Sequence, residues 1–165
     1  MKRWVLGWLA LLAVGMAQPS WGFDFSAYRP ATLAQALEQI PANAKEVDIS
    51  LDFAAPKYRV MVRWTGGVRA LSTDGGLVVT AWGKGAQMKW LIPLFFHEIE
   101  AEEGEHRMWL AIQETLLADW YQEVQSDRMV TLYAMYLGST RAAHVLVVNE
   151  FAAAPPSQSD QNAGL

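Results

Sequence analysis

The chain has 165 residues, with 13 lysines and arginines against 17 aspartates and glutamates, a formal net charge of −4 and no cysteine. That length suits one domain, and the missing thiols exclude disulfides, thiolate metal sites and lipid attachment through an N-terminal cysteine. An acidic chain without a basic stripe is also a poor match for phosphate backbones, so nucleic acid is not an expected partner.

The chain opens MKRWVLGWLALLAVGMAQPSWGFDF, in which Lys2 and Arg3 precede an apolar run from Trp4 to Met16 and a short stretch of small and polar residues from Ala17 to Gly22. This is the layout of a secretory signal peptide over residues 1–22. The run falls short of the ~20 residues a membrane span needs, so no stable insertion is expected after cleavage; a retained N-terminal anchor is the alternative. Cleavage after Gly22 would leave 11 basic and 17 acidic residues, a net charge near −6. The expected location is periplasmic or secreted.

Residues 23–56 read as a helical and extended segment packing on the main domain. In "TLAQALEQI", Thr32 can cap a helix and Gln35 can answer it as in a capping box; Pro41 should stop the helix. "VDISLDF" alternates like a half-buried strand, or serves as an extended lead-in. "KYRVMVRWTGGVRAL" predicts a long strand bent at Gly66-Gly67. Asp74 can cap a short helix in "GGLVVTAWGKG". "WLIPLFFHEIEA" and "HRMWLAIQ" predict two strands joined at Glu103-Gly104. "ETLLADWYQEV" has helical spacing, and "RMVTLYAMYLG" with "AHVLVVNEF" forms a hairpin across "GSTR", where Gly138 supplies an unusual backbone. Residues 152–165 are small, polar and broken by proline, and read as a disordered tail.

The order predicts a mainly β fold with helices (α+β). Over residues 57–151 it matches a five-stranded OB-like Greek-key barrel with an inserted short helix and an N-terminal helix. An SH3-like barrel is the nearest alternative.

The stretch "LFFHEIEAEEGEHRMWL" holds two histidines and several glutamates. With a turn at Glu103-Gly104, Glu100 would face Arg107 and Glu98 would face Trp109. Alternation puts His97, Ile99, Ala101, His106, Met108 and Leu110 on one face and Phe96, Glu98, Glu100, Glu102, Arg107 and Trp109 on the other. Zinc needs donors converging at about 2.0 to 2.2 Å, whereas here imidazoles and carboxylates point apart and the two rings start about 13 Å from each other. A metal site on His97 and His106 is therefore only a third-ranked class, and calcium at the acidic turn lacks a calcium-loop spacing. Glu102, Glu103 and Glu105 are expected to keep the turn solvated.

Glu98 and Glu100 stand about 7 Å apart on one strand face, a spacing compatible with glycoside hydrolysis. Such chemistry also needs a cleft that buries one carboxyl, which an open strand face would not provide. Ser139 lacks a nucleophile-elbow context and "TDGGLVV" lacks the ending of a phosphate loop. No motif implies a cofactor or a catalytic residue. Trp64 and Trp120 fall on core positions, whereas Trp109 shares the polar face of the second and third barrel strands, where OB-type barrels bind ligands. Phe96, Glu98, Glu100, Arg107 and Trp109 are the candidate binding residues, unless the N-terminal helix or a loop covers the two aromatics.

"VRWTGGVRAL", "FFHEIEAEEGEHRMWLAIQ", "DRMVTLYAMYLGST" and "VLVVNEF" together resemble a group of small exported bacterial proteins with an OB-like barrel and no assigned activity. The resemblance spans Tyr58 to Phe151, implies the fold and the export, and carries no catalytic residue over. The expectation is an exported, soluble, non-enzymatic binding module whose partner is an envelope protein or a cell-wall component; a small hydrolase or transferase acting on envelope glycans is the alternative.

Overall fold

The computed structural model describes residues 23–38 and 48–153. The expected signal peptide, the stop at Pro41 and tail residues 154–165 lie outside these.

The described chain is mainly β with a few helices. Its elements are β1 (Arg29–Pro30), α1 (Leu33–Glu38), β2 (Ile49–Leu51), β3 (Lys57–Ala70), α2 (Thr73–Gly85), β4 (Phe95–Glu103), β5 (His106–Gln113), α3 (Glu114–Glu123), β6 (Met129–Thr140) and β7 (His144–Ala153). The sheet runs β1-β3-β4-β5-β7-β6-β2, and β3 also pairs with β6, so β3, β4, β5, β7 and β6 form a ring. All ring pairings are antiparallel except β5 with β7.

Alternation explains the inside of the ring. Val60 and Val62 of β3, Ile99 and Ala101 of β4, Leu110 and Ile112 of β5, and Val130 and Leu132 of β6 meet in one core. α3 adds Leu117 and Trp120, three residues apart on one helix face, and α1 adds Leu33 and Ala36. A second core lies on the other face of the sheet, where Val78, Val79 and Trp82 of α2 pack on Ala111, Met135, Leu137 and Val147. Odd and even positions of β5, of β6 and of β7 from Val145 to Val148 therefore feed different cores, as the two-residue period of a strand requires; past the β6–β7 register shift Phe151 returns to the first core.

The capping box of α1 forms as the sequence predicts: Gln35 N–H donates to Thr32 Oγ1 and Thr32 N–H to Gln35 Oε1. The bend in β3 falls at Gly66, which has φ +92° beside a register break between Trp64 and Val68.

Five local expectations need correction. α2 is capped by Ser72, whose Oγ accepts from Gly75 N–H, leaving Asp74 inside the first turn. β4 begins at Phe95, because Lys89–Leu94 forms a 3-10 stretch around Pro93; proline has no N–H to give a ladder. The β4–β5 turn is Gly104-Glu105, with Gly104 at φ +59°. Glu100 consequently pairs with Trp109 and Glu102 with Arg107, and the faces survive because the register moved by two residues. Gly138 lies inside β6 rather than in the turn. A Cβ there would sit 2.2 Å from the carbonyl oxygen of Ser50, so glycine is needed for the close approach of β2. β7 also continues through Ala152 and Ala153.

Candidate functional site

The outward faces of β3, β4 and β5 carry the polar residues singled out in the sequence. Glu98 is the best enclosed of them, with 4% of its surface exposed. The start of α2 crosses above it, and Ser72 Oγ donates to Glu98 Oε1 at 2.7 Å while Arg69 Nε donates to Oε2 at 2.7 Å. The carboxylate thus lies at the N-terminal end of a helix, where the backbone dipole favours negative charge. This corrects the expectation of an open strand face. With both oxygens engaged by donors, Glu98 is suited to holding a cation in place rather than to passing a proton.

The cation it holds is Arg69. Its guanidinium carbon lies 4.0 Å from the centroid of the Trp109 ring, so the group is fixed at Nε by the carboxylate and in its plane by the indole. Beyond Trp109 the remaining glutamates are tied individually. Thr65 Oγ1 donates to Glu100 Oε2 at 2.6 Å. Glu102 accepts from Arg63 and, at 3.1 Å, from Arg107 Nη2. The Arg63 hydrogen bond, aided by Arg107 and opposed by burial, holds the Glu102 carboxyl below its ordinary value of 4.5. Glu103 Oε2 accepts from Leu33 N–H at 2.5 Å, at the first turn of α1. The acidic run is therefore a series of tie points, and only Glu105 of the three turn glutamates is plainly exposed.

A cavity of about 340 Å³ opens over this surface, lined by Arg69, Ser72, Glu98, Arg107, Trp109, by Ala142 and Ala143 of the β6–β7 connection and by His144 at the start of β7. Glu98, Arg107 and Trp109 are brought together there, with Glu100 beside them: Arg107 Nη1 is 3.8 Å from Glu100 Oε1. Phe96 is not part of the group. It is the residue passed over where the β4–β5 register shifts, is 55% exposed, and lines a separate depression with Val79, Ile92 and Pro93.

Sequence reasoning missed Arg69, Ser72 and His144 as site residues. The first was legible in principle, because β3 and β4 pair Arg69 directly with Glu98, but only once the break at Gly66-Gly67 is known. Ser72 carried a cap signal that the neighbouring Asp74 obscured.

The histidines stay apart from this surface. His97 Nδ1 lies 2.8 Å from Glu114 Oε2 of α3, and His106 is exposed at the turn. Among the described residues no group of three histidines or carboxylates is placed to hold a metal ion, and no described helix is long and apolar enough to cross a membrane. Trp64, Trp82 and Trp120 are buried, whereas Trp90 is 61% exposed on the 3-10 stretch.

In comparisons with known proteins, no family model and no curated sequence matches the chain.

Proposed function

We propose that this chain is an exported, non-enzymatic binding module of the bacterial envelope, built on an OB-like barrel, which holds part of an envelope protein or cell-wall component in the cavity beside Trp109. The fold part of this reading is supported by the ring order, in which the first strand pairs with both the second and the fourth and α3 connects the third to the fourth. The cavity has a matching position. It lies on the second and third strands, between the segment joining the first two strands and the connection joining the last two, and OB barrels use that face and those loops for ligands. Export rests on the N-terminal sequence pattern alone.

One observation carries the functional reading: a cation already immobilised by a buried carboxylate and an indole, in a cavity of ligand size. Ordering a long side chain at a binding surface costs about 0.5–1.5 kcal/mol, and the fold has already met that cost for Arg69. Pockets for small molecules usually span about 300–1,000 Å³.

The glycan hydrolase alternative would use Glu98 or Glu100. Burial of Glu98 favours it in part, but its two oxygens already accept from Arg69 and Ser72, so neither is turned toward a substrate in the cavity, as a proton donor to a leaving group must be. Turnover of cell-wall glycan that disappears in Glu98→Gln protein would establish this alternative in place of the binding module.

The test is capture from a native envelope extract by the full chain and by a variant carrying Arg107→Ala and Trp109→Ala. The reading expects the variant to retain its melting temperature within a few degrees and to lose the captured material. Undiminished capture would remove this face from the proposal.

A further inference from the structure

Resting on the reading of the cavity as the binding site, we infer that its ligand is a free carboxylate, supplied by the C-terminus of a short peptide with small apolar side chains. The anchor is Arg69. Its Nε is committed to Glu98 and its plane to Trp109, while both Nη atoms have no protein hydrogen-bond partner among the described residues. The side chain remains 45% exposed. What it presents is the outer edge of a guanidinium, two N–H donors with the spacing of two carboxylate oxygens.

The surrounding charge limits the ligand to a small anion. Glu98 balances Arg69, and Arg107, the other arginine of the cavity, is already matched by Glu102 and lies near Glu100. A phosphate dianion or a polyanion would meet the row Glu98, Glu100 and Glu102 along β4 without surplus positive charge to offset it. A monoanion making two charge-assisted hydrogen bonds does not need that surplus.

The rest of the lining selects the body of the ligand. Away from the arginines the apolar wall is Leu37, Met108, Ala111, Ala142, Ala143 and Val145, with Ser72 and His144 as its uncharged polar members. The three alanines leave room for methyl-sized side chains, and Leu37, Met108 and Val145 offer them apolar contact; a sugar acid would set most of its hydroxyls against this apolar part of the wall. Sugar stacking is also disfavoured on the Trp109 face that Arg69 covers. The volume of about 340 Å³ accommodates the last two or three residues of such a peptide.

The test is calorimetric titration of the full chain with trialanine, trialanine amide, glucuronate and inorganic phosphate. Trialanine should bind, its amide should bind at least tenfold more weakly, and the other two should be weaker than trialanine. Arg69→Lys keeps the charge but loses the fork, and should weaken trialanine at least tenfold. Glu98→Gln, which loosens the hold on Arg69, should weaken it by a smaller factor. Chemical denaturation of each variant establishes that it is folded, and Arg69→Gln replaces any that is not. Equal binding of acid and amide, preference for glucuronate or phosphate, or an Arg69→Lys protein that binds as the parent does would each overturn the inference. If trialanine fails to bind while the Arg107→Ala, Trp109→Ala variant still loses envelope capture, the peptide assignment falls and the cavity reading stands. If capture is undiminished, the cavity reading itself falls.

Discussion

A Cβ placed on Gly75 would lie 2.6 Å from Oε1 of Glu98, so the glycine in the first turn of α2 and the buried carboxylate of β4 occupy adjoining space with no room for a methyl group. Glu98 cannot easily move aside, because Ser72 and Arg69 grip its two oxygens. Gly75→Ala should therefore destabilise the protein by about 1–3 kcal/mol, the usual range for overpacking, despite alanine's better helix propensity. In a Glu98→Ala background the nearest obstruction is gone and the flexible end of Leu71, with Cδ1 at 2.8 Å, is the main one left, so the same change should cost at least about 1 kcal/mol less than it does in the parent. A double-mutant cycle by urea denaturation reads this directly; additive effects would contradict the described packing.

The Glu102 network predicts a pH dependence. Hydrogen bonding by Arg63, with help from Arg107, lowers the folded carboxyl below its ordinary 4.5. A depressed carboxyl contributes stability that is fully present above the unfolded value and is lost as pH falls through the folded value. The stability advantage of the parent over Glu102→Gln should hence be constant above about pH 5.5 and shrink as pH falls below about 4.5. Urea melts of the two proteins across that range check it; an advantage that grows on acidification would refute the assignment.

Two glycines with unusual backbones should respond differently to substitution. A Cβ on Gly138 would meet the Ser50 carbonyl oxygen at 2.2 Å and the Leu51 Cα at 3.1 Å, both main-chain atoms of β2. Gly138→Ala should cost about 2 kcal/mol or more and loosen β2, detectable as faster amide exchange at Asp52, whose N–H donates to Leu137 O. At Gly104 the φ is +59° and nothing lies within 4 Å of an added Cβ. Gly104→Asn should cost about 1 kcal/mol or less, since asparagine tolerates that conformation.

Phe96 and Trp90 provide a control. Both are more than half exposed, and neither lines the cavity containing Trp109. Substituting both with Ser should change stability by about 0.5 kcal/mol or less and leave envelope capture intact. A loss of capture in folded protein would move the binding surface to the depression beside α2.

The sequence made the strands legible through their two-residue period. Tyr58, Val60, Val62 and Trp64 all point inward, and the β4–β5 faces came out correctly although the register was misplaced by two residues. The misplacement is physical in origin, because Glu103-Gly104 and Gly104-Glu105 are both acceptable turns and alternation cannot choose between frames of equal parity. Glu98 was harder. Its burial comes from Ser72, 26 residues earlier, and from the course of α2 across the outer face of the sheet, a tertiary relation with no local signature. Arg69 was hidden for the same reason, since its pairing with Glu98 lies beyond the break in β3. Trp90 read as a strand residue until Pro93 and the 3-10 stretch carried it outward.

The most direct test of the cavity as the binding surface is the set of indole N–H signals in a two-dimensional nitrogen–proton NMR spectrum, recorded as a solubilised cell-wall digest is added. After residue 22 the chain has five tryptophans, Trp64, Trp82, Trp90, Trp109 and Trp120, which report on separate places: Trp109 on the cavity, Trp90 on the exposed 3-10 stretch and the others on buried positions. The account predicts a saturable shift of the Trp109 signal that is absent in Arg69→Lys protein. A shift confined to Trp90, or a digest that leaves Trp109 unmoved while still binding, would contradict it.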